Sequence, residues 1–221
     1  MTTLLTTPLS TLLVRLFAEI EPVDAKVRAQ FETIPVQERA ALMARMTDYQ
    51  TFYTDMKDAP LAVSRQTASL LYMLARSTGA RTIVEFGTSF GLSTLHLAAA
   101  LRDNGGGLLI GTEFEPGKLE RAQNHLVAGG LADLVEIRPG DALETLSRDL
   151  PDAIDLVLLD GAKHLYLQVL ALLEPRLRSG ALIVADNANM APEYLTKVRS
   201  HGQGYMSVPF AEDVELSMRL I

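Results

Sequence analysis

Two short apolar runs, each followed at once by an aspartate, constrain this chain more than any other feature. Residues 154–159 (Ile-Asp-Leu-Val-Leu-Leu) lead into Asp160, and residues 181–185 (Ala-Leu-Ile-Val-Ala) lead into Asp186 and Asn187. Strands of a parallel sheet are covered on both faces, so they read as near-continuous apolar runs rather than as alternating ones. In open α/β sheets ligands sit at the carboxyl ends of such strands, where these acids fall. Two carboxylates and an amide oxygen brought together there would make an all-oxygen set suited to a hard divalent cation such as Mg²⁺. Lys163, three residues beyond Asp160, stands close enough to act on whatever such a cation holds.

The rest of the chain supports that sheet. Beyond Arg81 the pattern alternates strand and helix: strands over 82–86, 108–113, 134–138, 154–160 and 181–186, helices over 92–102, 116–128, 142–150, 166–178 and 192–200. Regular β-α alternation predicts an α/β, doubly wound, mostly parallel sheet with right-handed crossovers. The tail 214–220 alternates apolar and polar, as an antiparallel edge strand does. The first sixty residues hold no convincing strand. Leu9, Leu12, Leu13, Leu16, Phe17 and Ile20 share one helical face. A second helix is expected over 23–31, and a third over 37–56, with Pro35 near its start and Met43, Met46 and Tyr49 as apolar contacts. A fourth covers 64–77 and ends at Gly79. The expected division is a helical extension over 1–62, serving as lid or dimer contact, and a sheet domain over 63–221.

Composition removes several function classes. A chain of 221 residues, 48% of them hydrophobic, can bury a full core. A net charge of −7 argues against an unaided nucleic-acid binder, which needs a basic face. There are no cysteines, so disulfides, thiolate metal sites and cysteine nucleophiles are excluded. No apolar run approaches the roughly 20 residues that span a bilayer, and the start lacks a basic leader. The expectation is a soluble, cytoplasmic protein.

The strongest local motif is Glu85-Phe86-Gly87-Thr88-Ser89-Phe90-Gly91-Leu92-Ser93, which joins the first strand to its helix. Its glycines let the backbone turn tightly against a ligand, and the helix start offers free N–H groups to an anion. The spacing is Gly-x-x-x-Gly; Ser89 stands where a dinucleotide fingerprint would want another glycine. Glu113, at the end of the second strand, is placed to accept from both hydroxyls of a ribose. Phe114 beside it would cover an adenine, and Asp141 would meet the adenine amino group or cap the next helix.

These motifs, in this order, resemble the class I S-adenosylmethionine-dependent O-methyltransferases, and within them the cation-dependent catechol and caffeoyl-CoA O-methyltransferase group. The shared features are the Glu85–Ser93 turn, the acid Glu113, the run Asp160-Gly161-Ala162-Lys163 and the pair Asp186-Asn187. The resemblance implies a seven-stranded Rossmann-like methyltransferase sheet and S-adenosylmethionine as cofactor. It also implies a role for each residue. Val63 and Ser93 would hold the methionine carboxylate, Gly87, with Asp160 nearby, would meet its amino group, and Glu85 would be a further cofactor-binding residue. Glu113 would bind the ribose diol, and Phe114, Asp141, Ala142 and Ala162 would frame the adenine. Asp160, Asp186 and Asn187 would ligate Mg²⁺ or another divalent cation, and Lys163 would be the general base. The implied reaction is methyl transfer to a hydroxyl of a small catechol-like phenolic.

The sequence departs from that group at Ser64-Arg65-Gln66-Thr67, at Phe210-Ala211-Glu212-Asp213 and at Ala188-Asn189-Met190. These stretches bear on the acceptor, so other acceptors stand as the alternative: a natural-product hydroxyl, an amine or a tRNA nucleoside, methylated without a catalytic metal. A dinucleotide-dependent oxidoreductase and a non-catalytic cofactor-binding module are the other classes considered. His96 reads as a packing residue, His125 and His201 as helix surface, and His164 as a neighbour of the substrate. The apolar N-terminal helices lead to the expectation of a homodimer, with a small-molecule substrate and no nucleic-acid or membrane partner.

Overall fold

The computed structural model describes residues 2–33, 38, 48–211 and 213–221. Pro35, Met43, Met46 and Glu212, with half of the expected third helix, lie outside the described residues. Seven strands form one sheet in the order β3-β2-β1-β4-β5-β7-β6: β1 (Thr82–Phe86), β2 (Leu108–Glu113), β3 (Val135–Pro139), β4 (Ile154–Leu159), β5 (Leu177–Ala185), β6 (Tyr205–Phe210) and β7 (Val214–Arg219). β1 to β5 are parallel, and β7 runs antiparallel between β5 and β6. The helices are α1 (Leu9–Glu32), α2 (Tyr49–Asp55), α3 (Arg65–Ser77), α4 (Leu92–Asp103), α5 (Pro116–Gly129), α6 (Ala142–Thr145), α7 (Tyr166–Leu173) and α8 (Pro192–Arg199).

The period of a strand divides each apolar run between two cores. Leu156 and Leu158 of β4, with Leu182 and Val184 of β5, face α1, α3 and α4. Val157 and Leu159, with Ile183 and Ala185, face α7 and α8. Leu9, Leu12, Leu13, Leu16, Phe17 and Ile20 all join the first core. The apolar face of α1 is therefore used within the chain, which removes the argument that it was left for a dimer partner.

Three expectations need correction. The helices expected over 9–20 and 23–31 are one helix, α1, with Pro22 inside it. Proline costs a helix one backbone hydrogen bond, and here Pro22 and Ala18 are both exposed, so water can satisfy the freed carbonyl. The helix expected over 166–178 stops at Leu173, and Pro175 opens a 3₁₀ turn before β5 starts at Leu177. The tail strand is not the edge: β7 is interior and β6 is the edge. Its buried side carries Glu215 and Ser217, while Met218 is exposed. Arg199 (2.8 and 2.6 Å) and Ser207 (2.6 Å) donate to the Glu215 carboxylate, which makes that burial tolerable. Among the described residues no helix is long and apolar enough to cross a membrane.

Candidate active site

The strand order reverses between β1 and β4, since β1 is followed by β2 on one side and β4 lies on the other. The crevice beyond their carboxyl ends opens there. Gly87 holds it narrow. It sits at φ +97°, and a Cβ on it would lie 2.6 Å from the carbonyl oxygen of Asp160, so only glycine lets the turn after β1 touch the turn after β4. The result is a cleft whose lining includes Gly87, Glu113, Phe114, Asp141, Ala142, Asp160 and Ala162. A smaller adjoining cavity is lined by Val63, Gly87, Ser93 and Asp160.

Beneath the cleft the turn is held by its own acid. Glu85 is fully buried, and its carboxylate accepts from the hydroxyls of Ser93 (2.6 Å), Thr94 (2.6 Å) and Thr88 (3.0 Å). Burial raises its pKa against the pull of those donors. Glu85 lines neither cavity; it props the turn from below. Ser89 adopts a left-handed backbone at φ +48°, costly without glycine. Its N–H donates to Glu113 (2.8 Å) and its hydroxyl to the carbonyl of Pro60 (2.5 Å), which fixes that conformation. Glu113 also accepts from the N–H of Glu115 (2.9 Å), and burial lifts its pKa above the usual glutamate value.

At the far end, Asp141 caps α6 through the N–H of Leu143 (2.9 Å). Its other oxygen accepts from the Tyr49 hydroxyl and from Gln50 (3.4 Å), so α2 is tied across the cleft mouth. Burial and the adjacent Asp141 carboxylate push the Tyr49 phenol up to about 12. Tyr53, one turn further along α2, also lines the cleft, and burial raises its pKa while Lys163 pulls it down.

The ends of β4 and β5 meet through hydrogen bonds. The Lys163 ammonium donates to Asp160 Oδ1 (2.6 Å) and to the Tyr166 hydroxyl (2.9 Å), which in turn donates to the carbonyl of Asp186 (2.8 Å). Burial alone would make Lys163 shed its proton, but Asp160, Tyr166 and Asp186 outweigh it and hold its pKa well above the usual lysine range. Within the protein alone the ammonium form of Lys163 is the favoured one. Asn187 takes a left-handed backbone and donates its amide N–H to Asp213 (3.1 Å), so its amide oxygen is the atom that could ligate a cation.

A divalent cation fits this donor set by chemistry. No cluster of three or more His, Cys, Asp or Glu suited to a metal occurs among the described residues. The set here is two carboxylates and an amide oxygen, hard donors that leave further positions for water or a diol.

Sequence reasoning missed four residues. Tyr49 and Tyr53 reach the cleft from α2, with Tyr49 separated from Asp141 by 92 positions, so no local pattern announced them. Tyr166, which steadies Lys163, carried a findable signal: it lies three residues beyond Lys163, within one helical turn. Lys118 also lines the cleft, from the first turn of α5. Of the histidines, His96 is buried and bonded to the carbonyl of Leu92 (2.8 Å). His125 is tied to the carbonyl of Phe90 (2.8 Å) rather than free on the helix surface. His164 stacks at a tilt on Tyr49 with ring centroids 5.4 Å apart.

A family model described as a methyltransferase domain matches residues 84–188, from the glycine turn to just past Asp186-Asn187. A catechol O-methyltransferase of Mycobacterium tuberculosis is 35% identical over 135 residues, 61% of this chain and 60% of that protein. The chain spans about three fifths of the length of the curated relatives it matches. In structure it is similar to cofactor-bound Rv0187 from MTB, with a TM-score of 0.67 and 27% identity over 87% of this chain and 95% of the other. It is also similar to the O-methyltransferase TomG of Streptomyces achromogenes, solved with S-adenosylmethionine, with a TM-score of 0.64 and 26% identity over 90% and 96%. In sequence this chain is similar to catechol O-methyltransferases, and in fold to O-methyltransferases solved with S-adenosylmethionine.

Proposed function

We propose that this chain is an S-adenosylmethionine-dependent O-methyltransferase that methylates a hydroxyl of a small catechol-like phenolic. The observation that carries the reading is that Glu113 and Asp160 line one narrow crevice, with Lys163 bonded to Asp160 (2.6 Å), in the motif order of that group. Glu113 accepts from the ribose hydroxyls. Phe114, Ala142 and Ala162 sandwich the adenine and Asp141 meets its amino group. Val63, Gly87 and Ser93 receive the methionine end, and Glu85 holds the turn that carries them. Residues 1–62 act as the lid, with α2 laid across the cleft.

Asp160, Asp186 and Asn187 are the residues that would hold a divalent cation such as Mg²⁺, which would acidify a chelated vicinal diol and favour the neutral form of Lys163. A free phenol has a pKa of about 10, so it needs help to ionise at neutral pH. Lys163 in its neutral form takes the acceptor proton, and Tyr166 keeps its amine at the end of β4. S-adenosylmethionine, held by the residues named above, would supply the activated methyl group, with S-adenosylhomocysteine as the product that leaves. The chain's work is to align donor and acceptor and to exclude water.

One observation favours a second reading, the same transfer without a catalytic metal. Lys163 already neutralises Asp160, one of the acids a cation would need. The test is transfer of labelled methyl to a catechol panel, with Mg²⁺ and with EDTA in parallel. Transfer that EDTA abolishes is the expected result. Transfer that survives EDTA selects the second reading, and binding without transfer removes the catechol class.

A further inference from the structure

Asp24 holds a strained piece of backbone at the wall of the smaller cavity. Once Ile20 has packed into the core, α1 runs on with Glu21, Pro22, Val23, Ala25 and Lys26 exposed. Asp24 alone in that stretch is half-buried. Its two carboxylate oxygens accept from successive backbone N–H groups, Leu61 to Oδ1 (2.9 Å) and Ala62 to Oδ2 (3.0 Å). Leu61 stands at φ +49°, in the left-handed region that a leucine avoids. Successive N–H groups turned to one side make a concavity that suits an anion, and here the chain supplies the anion itself. Bonds to an ionised acceptor are among the stronger kinds.

The neighbouring contacts show what this clamp shapes. Pro60, Leu61, Ala62 and Val63 all line the smaller cavity, with Gly87 and Ser93. The Pro60 carbonyl accepts from the Ser89 hydroxyl (2.5 Å), so segment 60–63 is gripped from two sides, by α1 and by the glycine turn. Leu61 reaches on into the main cleft. The charge of Asp24 also acts on Asp160 and Lys118, which line that cleft. Backbone strain persists only where the surroundings over-determine it, and at Leu61 the Asp24 carboxylate does so from 37 positions away.

We propose that Asp24 is a positioning residue that fixes segment 60–63 as the wall receiving the methionine end of the cofactor. This rests on the S-adenosylmethionine reading above. Without the carboxylate, the Leu61 backbone relaxes out of its left-handed conformation and the N–H groups of Leu61 and Ala62 turn to water. Val63 follows them. The methionine end then loses its wall, while the nucleoside end keeps Glu113 and Asp141.

The experiment is calorimetric titration of S-adenosylhomocysteine, and of 5′-methylthioadenosine, into wild type and Asp24→Ala. The second ligand has the nucleoside but no amino-acid end; where its binding is weak it is measured by displacement. Both proteins are titrated below their ligand-free melting midpoints. The expected result is about tenfold weaker binding of S-adenosylhomocysteine by the variant, the scale of holding one leucine left-handed. The two proteins should bind 5′-methylthioadenosine equally. Should Asp24→Ala fail to fold, Asp24→Asn replaces it: one acceptor oxygen remains, and a loss of about threefold is expected for S-adenosylhomocysteine alone. Equal affinities for S-adenosylhomocysteine overturn the proposal while leaving the cofactor reading intact. A loss shared by 5′-methylthioadenosine also overturns it, because Asp24 then supports the fold as a whole. Absence of binding by wild type overturns the cofactor reading, and this inference falls with it.

Discussion

The two ends of the cleft hold their charges in different ways. Beyond β1 and β2, Glu85 and Glu113 are fixed by hydroxyls and backbone N–H groups. Beyond β4 and β5, Asp160, Lys163 and Tyr166 are held chiefly by one another. Backbone donors cost no rearrangement when a ligand arrives, so the first end is preorganised. Side chains paired together must part, at least in part, before they serve an acceptor. The comparison teaches that cofactor binding and methyl transfer should be separable by mutation. Lys163→Ala tests it most severely. Removing a general base costs about 10²–10⁴ in kcat, while S-adenosylhomocysteine affinity should stay within about threefold. A calorimetric Kd that worsens as far as kcat falls would mean the two ends are one unit.

Glu113 probes the other end, with a smaller effect. Glu113→Gln should weaken S-adenosylhomocysteine binding by about tenfold to a hundredfold, since hydrogen bonds to a charged group contribute about 1.5–3 kcal/mol. The pH dependence adds a sign. Burial raises the Glu113 pKa above 4.5, and the carboxylate must be ionised to accept from both hydroxyls. Affinity should therefore decline as pH falls through that raised pKa, at less acid pH than for an ordinary glutamate. Stability linked to this group runs the other way: it is fully present below the unfolded pKa and lost as pH rises through the folded one. Titrations across the acid range should show weakened binding in wild type and a flatter profile in Glu113→Gln. Equal slopes would move the proton to another group.

The same contrast separates what was legible in the sequence from what was not. The parallel strands could be read because both faces of β4 and β5 are buried, so nearly every residue there is apolar. The glycine turn could be read because its geometry demands Gly87 at a positive φ. β6 was not legible, since an edge strand with exposed Met206 and Val208 and a Pro209 looks like loop. In β7 the alternation and the antiparallel pairing were visible, but its interior place was not, because β6 beyond it was not legible. At the site, residues on strand ends were found and residues on helices crossing from elsewhere were not. Lys118 gave no sign, because nothing local distinguishes a buried lysine from the solvated lysines that helices usually carry.

Tyr49 joins the two ends through the lid. Among the described residues, α2 is tied to Asp141 by the Tyr49 hydroxyl and by a longer contact from Gln50 (3.4 Å). Tyr49→Phe keeps the ring, and with it the contact to His164, but removes the donor. A hydrogen bond of this kind contributes about 0.5–1.5 kcal/mol, so S-adenosylhomocysteine should bind about threefold more weakly, mainly through faster dissociation. Stopped-flow release measures this directly. Tighter binding in the variant would mean that Tyr49 competes with the adenine amino group for Asp141 instead of closing over it. The preorganised end would then include a contact that has to open, and the contrast between the two ends would be one of degree.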